Sequence, residues 1–470
     1  MPGPTLRAVW VPTLFGGAVI GTTVGVFGPV ATVAGLAGAL GLAACAWVLA
    51  IPVRAVTLYA FLLPFDVYLS TTLRVTSTQV FQVLALAVAT LGVLTGVGTV
   101  RRASHLPPTV AALGVCLISY LILSLTWSIN PEASARSLVR TVAAILLAGL
   151  GAAVVRDGAA LRRVLSVAAL GALVTSLYGY AQFVRGGHDP LYQYFSPFYS
   201  EPFAARGGGF SVVATFANPN ILAGYGLIVL PLIWALAVDG RGARRAGWIA
   251  VAALVGGAVL LTFSKAGWLL VLLLAALWML TRVTAGARLA LAGGAGIALG
   301  VALMLLDRLV GTFSQVFPNA REMSVDSRLG LWRAALEAFV QSPLIGFGLD
   351  GFAAATAGVR TGTLADLIRA HNIYLQTLVD LGIVGSLLFF APLVVIYVSG
   401  LKTLLRDPRP DRNPLHLGLV LSTTGVFVFG LVESLTVSNN YVNASWLVFG
   451  LLSASTMVHD RTLSPMGSHS

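Results

Sequence analysis

Apolar runs of about 20 residues recur along the chain, each long enough to cross a hydrocarbon core of ~30 Å. Polar and charged residues collect between them. The pattern predicts membrane helices at roughly 10–28, 30–51, 55–70, 78–98, 108–127, 137–155, 160–183, 218–238, 246–262, 266–281, 286–306, 372–401, 415–434 and 441–458. Two intervening segments are more than turns. Residues 184–217 are rich in aromatics, Gly and Pro, and 307–371 form the longest polar stretch. Long connections of this kind tend to carry function. The expected organisation is helices over 1–306 with an outer loop at 184–217, a long loop with short helices over 307–371, C-terminal helices over 372–460, and a tail at 461–470. The final SPMGSHS reads as an appended remnant and is set aside. No repeat of 20–50 residues and no match between the halves is visible. The fold class is an all-α, polytopic helical bundle of about 12–14 spans.

Composition supports this class. Of 470 residues, 57% are hydrophobic and 10% charged, with mean hydropathy +0.89. Soluble domains carry roughly 25% charged residues. A net charge of +12 would suit nucleic acid, but the cations fall in loops, where they orient helices instead. Counted loop by loop, 17 of the 29 Lys and Arg fall on the side of the N-terminus and 12 on the other. Six of those 12 lie in the one long loop, which the rule discounts, so short loops alone give 17 against 6. The charge-rich side, with both termini, is expected to be cytoplasmic. The first span has one upstream charge, Arg7, and a second span follows at once, which reads as an uncleaved helix. Cys45 and Cys116 both lie in apolar runs, so no disulfide framework or metal cluster is available.

Four cations stand out on the less charged side: Arg206, Lys265, Arg328 and His371. Lys265 lies in LLTFSKAGWLL, between two apolar runs with almost no loop. A charge there snorkels or pairs. Ser327 or Asp326 could cap a helix from about 328 to 341, ended by Pro343. Arg328 would then sit in a first turn, where a cation opposes the helix dipole, so a ligand accounts for it better than structure does. Arg333 and Glu337, four apart, suit a surface pair. Arg206, in ARGGGF, also reads as a solvated loop charge. GFGLDGF is glycine-rich without phosphate-loop spacing.

In RAHNIYLQTLVDLGIVG (369–385), Arg369 and His371 sit at the lip of an apolar helix. His371 and Gly382 are 11 residues apart, which places them on one face, about 16 Å apart along a continuous helix. Gly382 and Ser386 form a small-xxx-small pair that admits a neighbour closely. Asn372, Gln376 and Asp380 recur at i, i+4 and i+8 as a polar stripe entering the membrane. An acid at the depth of Asp380 is functional by default. Imidazole is a base near neutral pH, which few unperturbed side chains are. No outer loop carries a clear metal motif, and there is no Gly-x-Ser-x-Gly elbow. A transfer reaction here would use a donor already activated, and guanidinium groups suit a pyrophosphate.

These residues resemble the O-antigen ligase and O-antigen polymerase superfamily, membrane glycosyltransferases of the GT-C type. The hallmark His-Asn, nine residues, Gly, two residues, Gly is similar to His371, Asn372, Gly382 and Gly385. A loop Arg followed by an aromatic helix and a Pro…Gly-x-Gly run is matched by Arg328, Trp332, Pro343, Gly346 and Gly348. TFANPNILA, with Asn218, Pro219, Asn220 and Ala223, looks like a family helix start. LLPF (62–65) and LTWSINP (125–131) resemble further landmarks. One departure is Lys265, where the family usually has Arg after Ser. Lys keeps the charge and loses the bidentate fork.

The resemblance implies a bacterial inner-membrane transferase with a periplasmic site, inverting, with neither metal nor cofactor. The donor is a glycan on undecaprenyl pyrophosphate. His371 deprotonates the acceptor hydroxyl, and Arg328, Lys265 and Arg206 hold the pyrophosphate. Asn372, Gln376, Asp380 and Asn220 support them. The acceptor is lipid A–core for a ligase or a second lipid-linked glycan for a polymerase, and related protein glycosyltransferases share the motifs. Membrane lipid, and no nucleic acid, completes the partners. A transporter of lipid-linked glycan is the alternative of a different class.

Overall fold

In a computed structural model the described residues are 52–70, 75–95, 106–186, 189, 191–195, 211–216, 218–281, 325–360, 368–406, 413–434 and 438–463. The spans expected at 10–28, 30–51 and 286–306, together with Arg206, lie outside them. The helices are α1 Pro52–Leu62, α2 Ser77–Thr95, α3 Pro108–Leu123, α4 Pro131–Val154, α5 Gly158–Val184, α6 Tyr192–Phe195, α7 Pro219–Asp239, α8 Gly242–Leu260, α9 Lys265–Leu280, α10 Val325–Gln341, α11 Phe352–Ala355, α12 Ile373–Arg406, α13 Pro414–Phe429 and α14 Asn439–Leu463. Seven of the described helices are long and apolar enough to cross a membrane, and four shorter apolar ones pack among them. The chain is an all-α polytopic membrane protein.

Local chemistry explains the boundaries. Asn130 caps α4 by accepting from Ala133 N at 3.2 Å, with Pro131 at the first position, so this helix starts six residues before the expected 137. Asp157, Asn218, Ser264 and Asn413 cap α5, α7, α9 and α13 in the same way. The helix expected over 55–70 ends at Leu62, with Pro64 just beyond it. Strand β1 (Tyr68–Ser70) then pairs antiparallel with β2 (Val75–Thr76), a two-stranded exception to the helical pattern. Asp66, just before β1, is buried, and Thr78 in the first turn of α2 donates to it from both backbone and side chain, closing the base of the hairpin.

Loop contacts sort the helix ends into two groups. At one end Ile373 N donates to Gly430 O at 2.8 Å, Ile129 N to Phe347 O at 3.1 Å and Asn440 Nδ2 to Pro64 O at 3.2 Å. At the other, Arg162 pairs with Asp239, and the His416 ring bridges Gly400 O and Ser455 Oγ. This grouping is the one that alternating spans require. Helix α13 packs against α7, α9, α12 and α14 and is buried along most of its length, and its few polar side chains, His416, Ser422, Thr423 and Thr424, are hydrogen-bonded within the bundle. Exposed Leu269, Leu272, Leu387 and Val139 face outward from the bundle.

Candidate functional site

The centre of the site is the start of α12. The Asn372 carboxamide accepts from Tyr374 N and Leu375 N, at 3.0 and 3.1 Å, which caps the helix. Its Nδ2 donates to Leu431 O at 3.1 Å, and Tyr374 Oη donates to Phe427 O at 2.8 Å. The Asn of the His-Asn pair therefore pins the start of α12 to the end of α13. Gln376 and Asp380 continue the stripe, and both are spent on the preceding loop. Ala370 N donates to Gln376 Oε1, Gln376 Nε2 to Asp380 Oδ2, and Phe352 N to Asp380 Oδ1 at 2.8 Å. All three side chains are buried, and they hold the segment carrying His371 in place.

Helix α12 is not continuous. It breaks at Gly382, whose φ is +65°, so the straight axis expected between His371 and Gly382 does not extend beyond that residue. The segment 343–347 docks into the break. Ile383 N donates to Pro343 O, Val384 N to Leu344 O and Phe347 N to Val379 O. A Cβ on Gly382 would stand 2.3 Å from Leu344 O, and one on Gly346 2.5 Å from Asp380 O. Only glycine meets both the conformation and the approach. Tyr120 Oη closes the joint by donating to Leu381 O at 2.8 Å. The partner admitted by Gly382 is thus a loop backbone rather than another helix. The glycines of the motif build a re-entrant joint that holds up the polar end, of the kind tolerated at membrane depth only where protein covers it.

His371 precedes the cap in a left-handed conformation, φ +48°, which a non-glycine residue adopts at a cost of about 1–3 kcal/mol. The surrounding bonds impose it, and it aims the ring at Glu433. Nδ1 lies 2.9 Å from Glu433 Oε1, within ion-pair reach but off the axis of a hydrogen bond. The Glu433 side chain is 5% exposed and that of His371 18%, so the acid is enclosed and the imidazole keeps an open edge. Such a pair presents Nδ1 to the acid and leaves Nε2 for an incoming proton donor.

Arg328 lies on α10, which is described from Val325. The helix thus includes Asp326 and Ser327 instead of starting after them. Trp332, one turn on, donates Nε1 to Ala370 O at 3.1 Å and brings that face of α10 beside His371. Arg328 Nε is buried with no hydrogen-bond partner, and Arg328 makes no ion pair among the described residues. Arg333 and Glu337 are exposed and, among the described residues, form no ion pair with each other. Lys265 opens α9 beside its cap, Ser264, at the same end of the bundle. Helix α9 packs on α7 and α13, whose far end meets Ile373. Asn220 donates its backbone N–H to the Asn218 carboxamide in the first turn of α7, at this same end.

Two features were missed by sequence reasoning. One is Glu433, whose signal was an isolated acid in the apolar GLVESL run on the His371 side. The other is a half-buried hydrogen-bond network. Arg369 pairs with Asp350 at 2.7 Å, Ser137 donates to Asp350 at 3.1 Å, and Arg140 donates to Ser137 at 2.9 Å and to Asn439 at 3.4 Å. It ties the loop to α4 and α14. Arg369, beside His371 at the lip of the helix, is used here in structure.

A sequence family described as O-Antigen ligase matches residues 248–390, from α8 through the broken part of α12. The Exopolysaccharide production protein ExoQ of Rhizobium meliloti (strain 1021) is 27% identical over 156 residues, 31% of this chain. That match spans 33% of the relative's own length.

Proposed function

We propose that this chain, a multi-pass membrane protein of the O-antigen ligase and polymerase superfamily, is a glycosyltransferase that moves a glycan from undecaprenyl pyrophosphate to an acceptor hydroxyl on the periplasmic face. The observation that carries this reading is the His371–Glu433 pair beside Arg328, whose Nε is buried without a hydrogen-bond partner among the described residues. Imidazole Nε2 takes the proton of the acceptor hydroxyl as its oxygen attacks the anomeric carbon. The bond from that carbon to the pyrophosphate oxygen breaks, with inversion. Glu433 stabilises the imidazolium that forms. Arg328 meets the charge developing on the leaving group, joined by Lys265 and by Arg206 of the outer loop.

The acceptor proposed first is lipid A–core, which makes the enzyme an O-antigen ligase of the bacterial inner membrane. The second reading is a polymerase whose acceptor is another lipid-linked glycan. The relative named for exopolysaccharide production favours it. Transport of the lipid-linked glycan is the reading of a different class. It calls for cations on a continuous polar path, whereas α7 presents apolar side chains from Ile221 to Ala237 in the middle of the bundle.

The test is to incubate purified protein with lipid-linked glycan and each acceptor, without nucleotide and with EDTA. Transfer to one acceptor is expected, because side-chain cations serve the pyrophosphate. Activity that needs an added divalent ion would overturn this mechanism. Arg328→Ala is expected to weaken donor binding and turnover together by roughly 10–100-fold, the worth of a charge-assisted hydrogen bond of about 1.5–3 kcal/mol. Donor affinity and single-turnover rate, measured separately, check it.

A further inference from the structure

A cleft of about 540 Å³ opens at the end of the bundle opposite the candidate site, between α5, the end of α7 and the start of α8. Its rim carries Arg162, Arg163 and Arg244, and its wall Leu170, Val251 and Trp248. Arg162 is engaged by Asp239 at 2.5 and 3.1 Å. Arg163 and Arg244 are exposed, and neither belongs to an ion pair among the described residues. The two helix junctions here, 155–163 and 239–245, hold six arginines against Asp157 and Asp239. Asp157 is occupied in capping α5. Helix α8 begins after Arg241 without a side-chain cap, so its first-turn N–H groups and positive dipole end add to the field at the rim.

The apolar wall says which kind of anion fits. Arg163, Leu170, Val174 and Leu177 follow one stripe of α5, and the three apolar residues are 43%, 44% and 49% exposed. From Arg163 to Leu177 the stripe runs about 21 Å along the axis, roughly the length of an acyl chain. Trp248 at the rim is the side chain that favours a headgroup boundary. A lipid whose headgroup sits at the rim would lay its acyl chain along this outward-facing stripe, a contact that a free anion would not make. We infer that the cleft is a binding site for an anionic phospholipid, its phosphate between Arg163 and Arg244 and one acyl chain along Leu170, Val174 and Leu177. The inference is independent of the transferase reading, because it uses none of the groups assigned to transfer.

The experiment reconstitutes the full chain with equimolar phosphatidylglycerol and phosphatidylcholine of identical chains, then counts lipids retained by native mass spectrometry. Phosphatidylglycerol is expected to be retained preferentially, by roughly tenfold or more given two arginines at a phosphate. Arg163→Gln with Arg244→Gln should abolish the preference. Both side chains are exposed, so folding is expected to survive, as thermal unfolding in phosphatidylcholine will report. Arg406→Gln, an exposed charge on α12 outside the cleft, should leave the preference intact. Equal retention of the two lipids by the native chain would overturn the inference. So would an equal loss in Arg406→Gln, which would make the preference diffuse surface charge. Inorganic phosphate that stabilises the protein as well as phosphatidylglycerol does would assign the cleft to a soluble anion and also overturn it.

Discussion

The hairpin of α12 and α13 holds a histidine at each end, and the two are built differently. His416 is 1% exposed in the first turn of α13. Its ring nitrogens lie 2.9 Å from Ser455 Oγ and from Gly400 O, so both polar atoms are satisfied within the bundle. His371 lies outside its helix, in a left-handed backbone, with one nitrogen toward a buried acid and an open ring edge. The first arrangement fastens three helices. The second holds the ring in place through a strained backbone and leaves it accessible. Residue type alone does not separate a histidine spent on structure from one left available; the number of ring atoms already engaged does.

The sharpest break in this comparison is expected from alanine at the two positions. His371→Ala should lower the single-turnover rate by ~10²–10⁴, the usual worth of a general base, with donor binding largely kept by the cations. A variant that turns over normally at saturating donor would make His371 a binding residue. Next in size is Gly382→Ala, where the new methyl meets Leu344 O in a backbone disfavoured for alanine. It should cost about 1–3 kcal/mol at the joint and expose residues 343–352 to limited proteolysis. Wild-type protection in that variant would show the joint to be adaptable. His416→Ala should cost about 1–3 kcal/mol of stability, because Gly400 O and Ser455 Oγ lose their partner. Its transfer rate per folded molecule should be unchanged, and a melting curve read beside an activity assay separates the two effects.

The smallest effect concerns Asp66, at the site end. Burial pushes its carboxyl up from the ordinary carboxylate range, against hydrogen bonds from Thr78, Thr76 and Asn439 that pull it down. A carboxyl raised on folding binds its proton more tightly in the folded state. Its contribution is therefore present at acid pH and lost as pH rises through the folded value. Asp66→Asn, which has no proton to lose, should melt slightly higher than the native chain at neutral pH. That advantage should vanish on acidification. An advantage of constant size across pH would mean the carboxylate is not the cause.

What could be read from the sequence was local. Spans, their alternation and the Asn218-Pro219 start depend on residues within a turn or two, and the helix ends fall within a few residues of expectation for most segments. What escaped depends on partners far along the chain. Glu433 meets His371 across a separate hairpin. Arg140 reaches Asp350 through Ser137. The break at Gly382 exists because residues 343–347 supply the hydrogen bonds that the helix gives up. Asp380 illustrates the difference best. An acid at membrane depth invited a chemical role, and its oxygens are taken by Phe352 N and Gln376.

The 343–350 segment has a consequence for how the molecule is made. It bonds backward to Ile129 and Ser134 and forward to Val379, Ile383 and Val384. Glu433 arrives later still. Synthesis runs from the N-terminus, and earlier parts of a chain take shape first. The helices before α10 can therefore enter the bilayer and pack while the polar end is incomplete. His371 acquires its acid only when the final hairpin has been inserted. A truncated or half-inserted chain would carry Arg328 without the His371–Glu433 pair, so on the proposed reading it would be unable to carry out transfer until the final hairpin is in place.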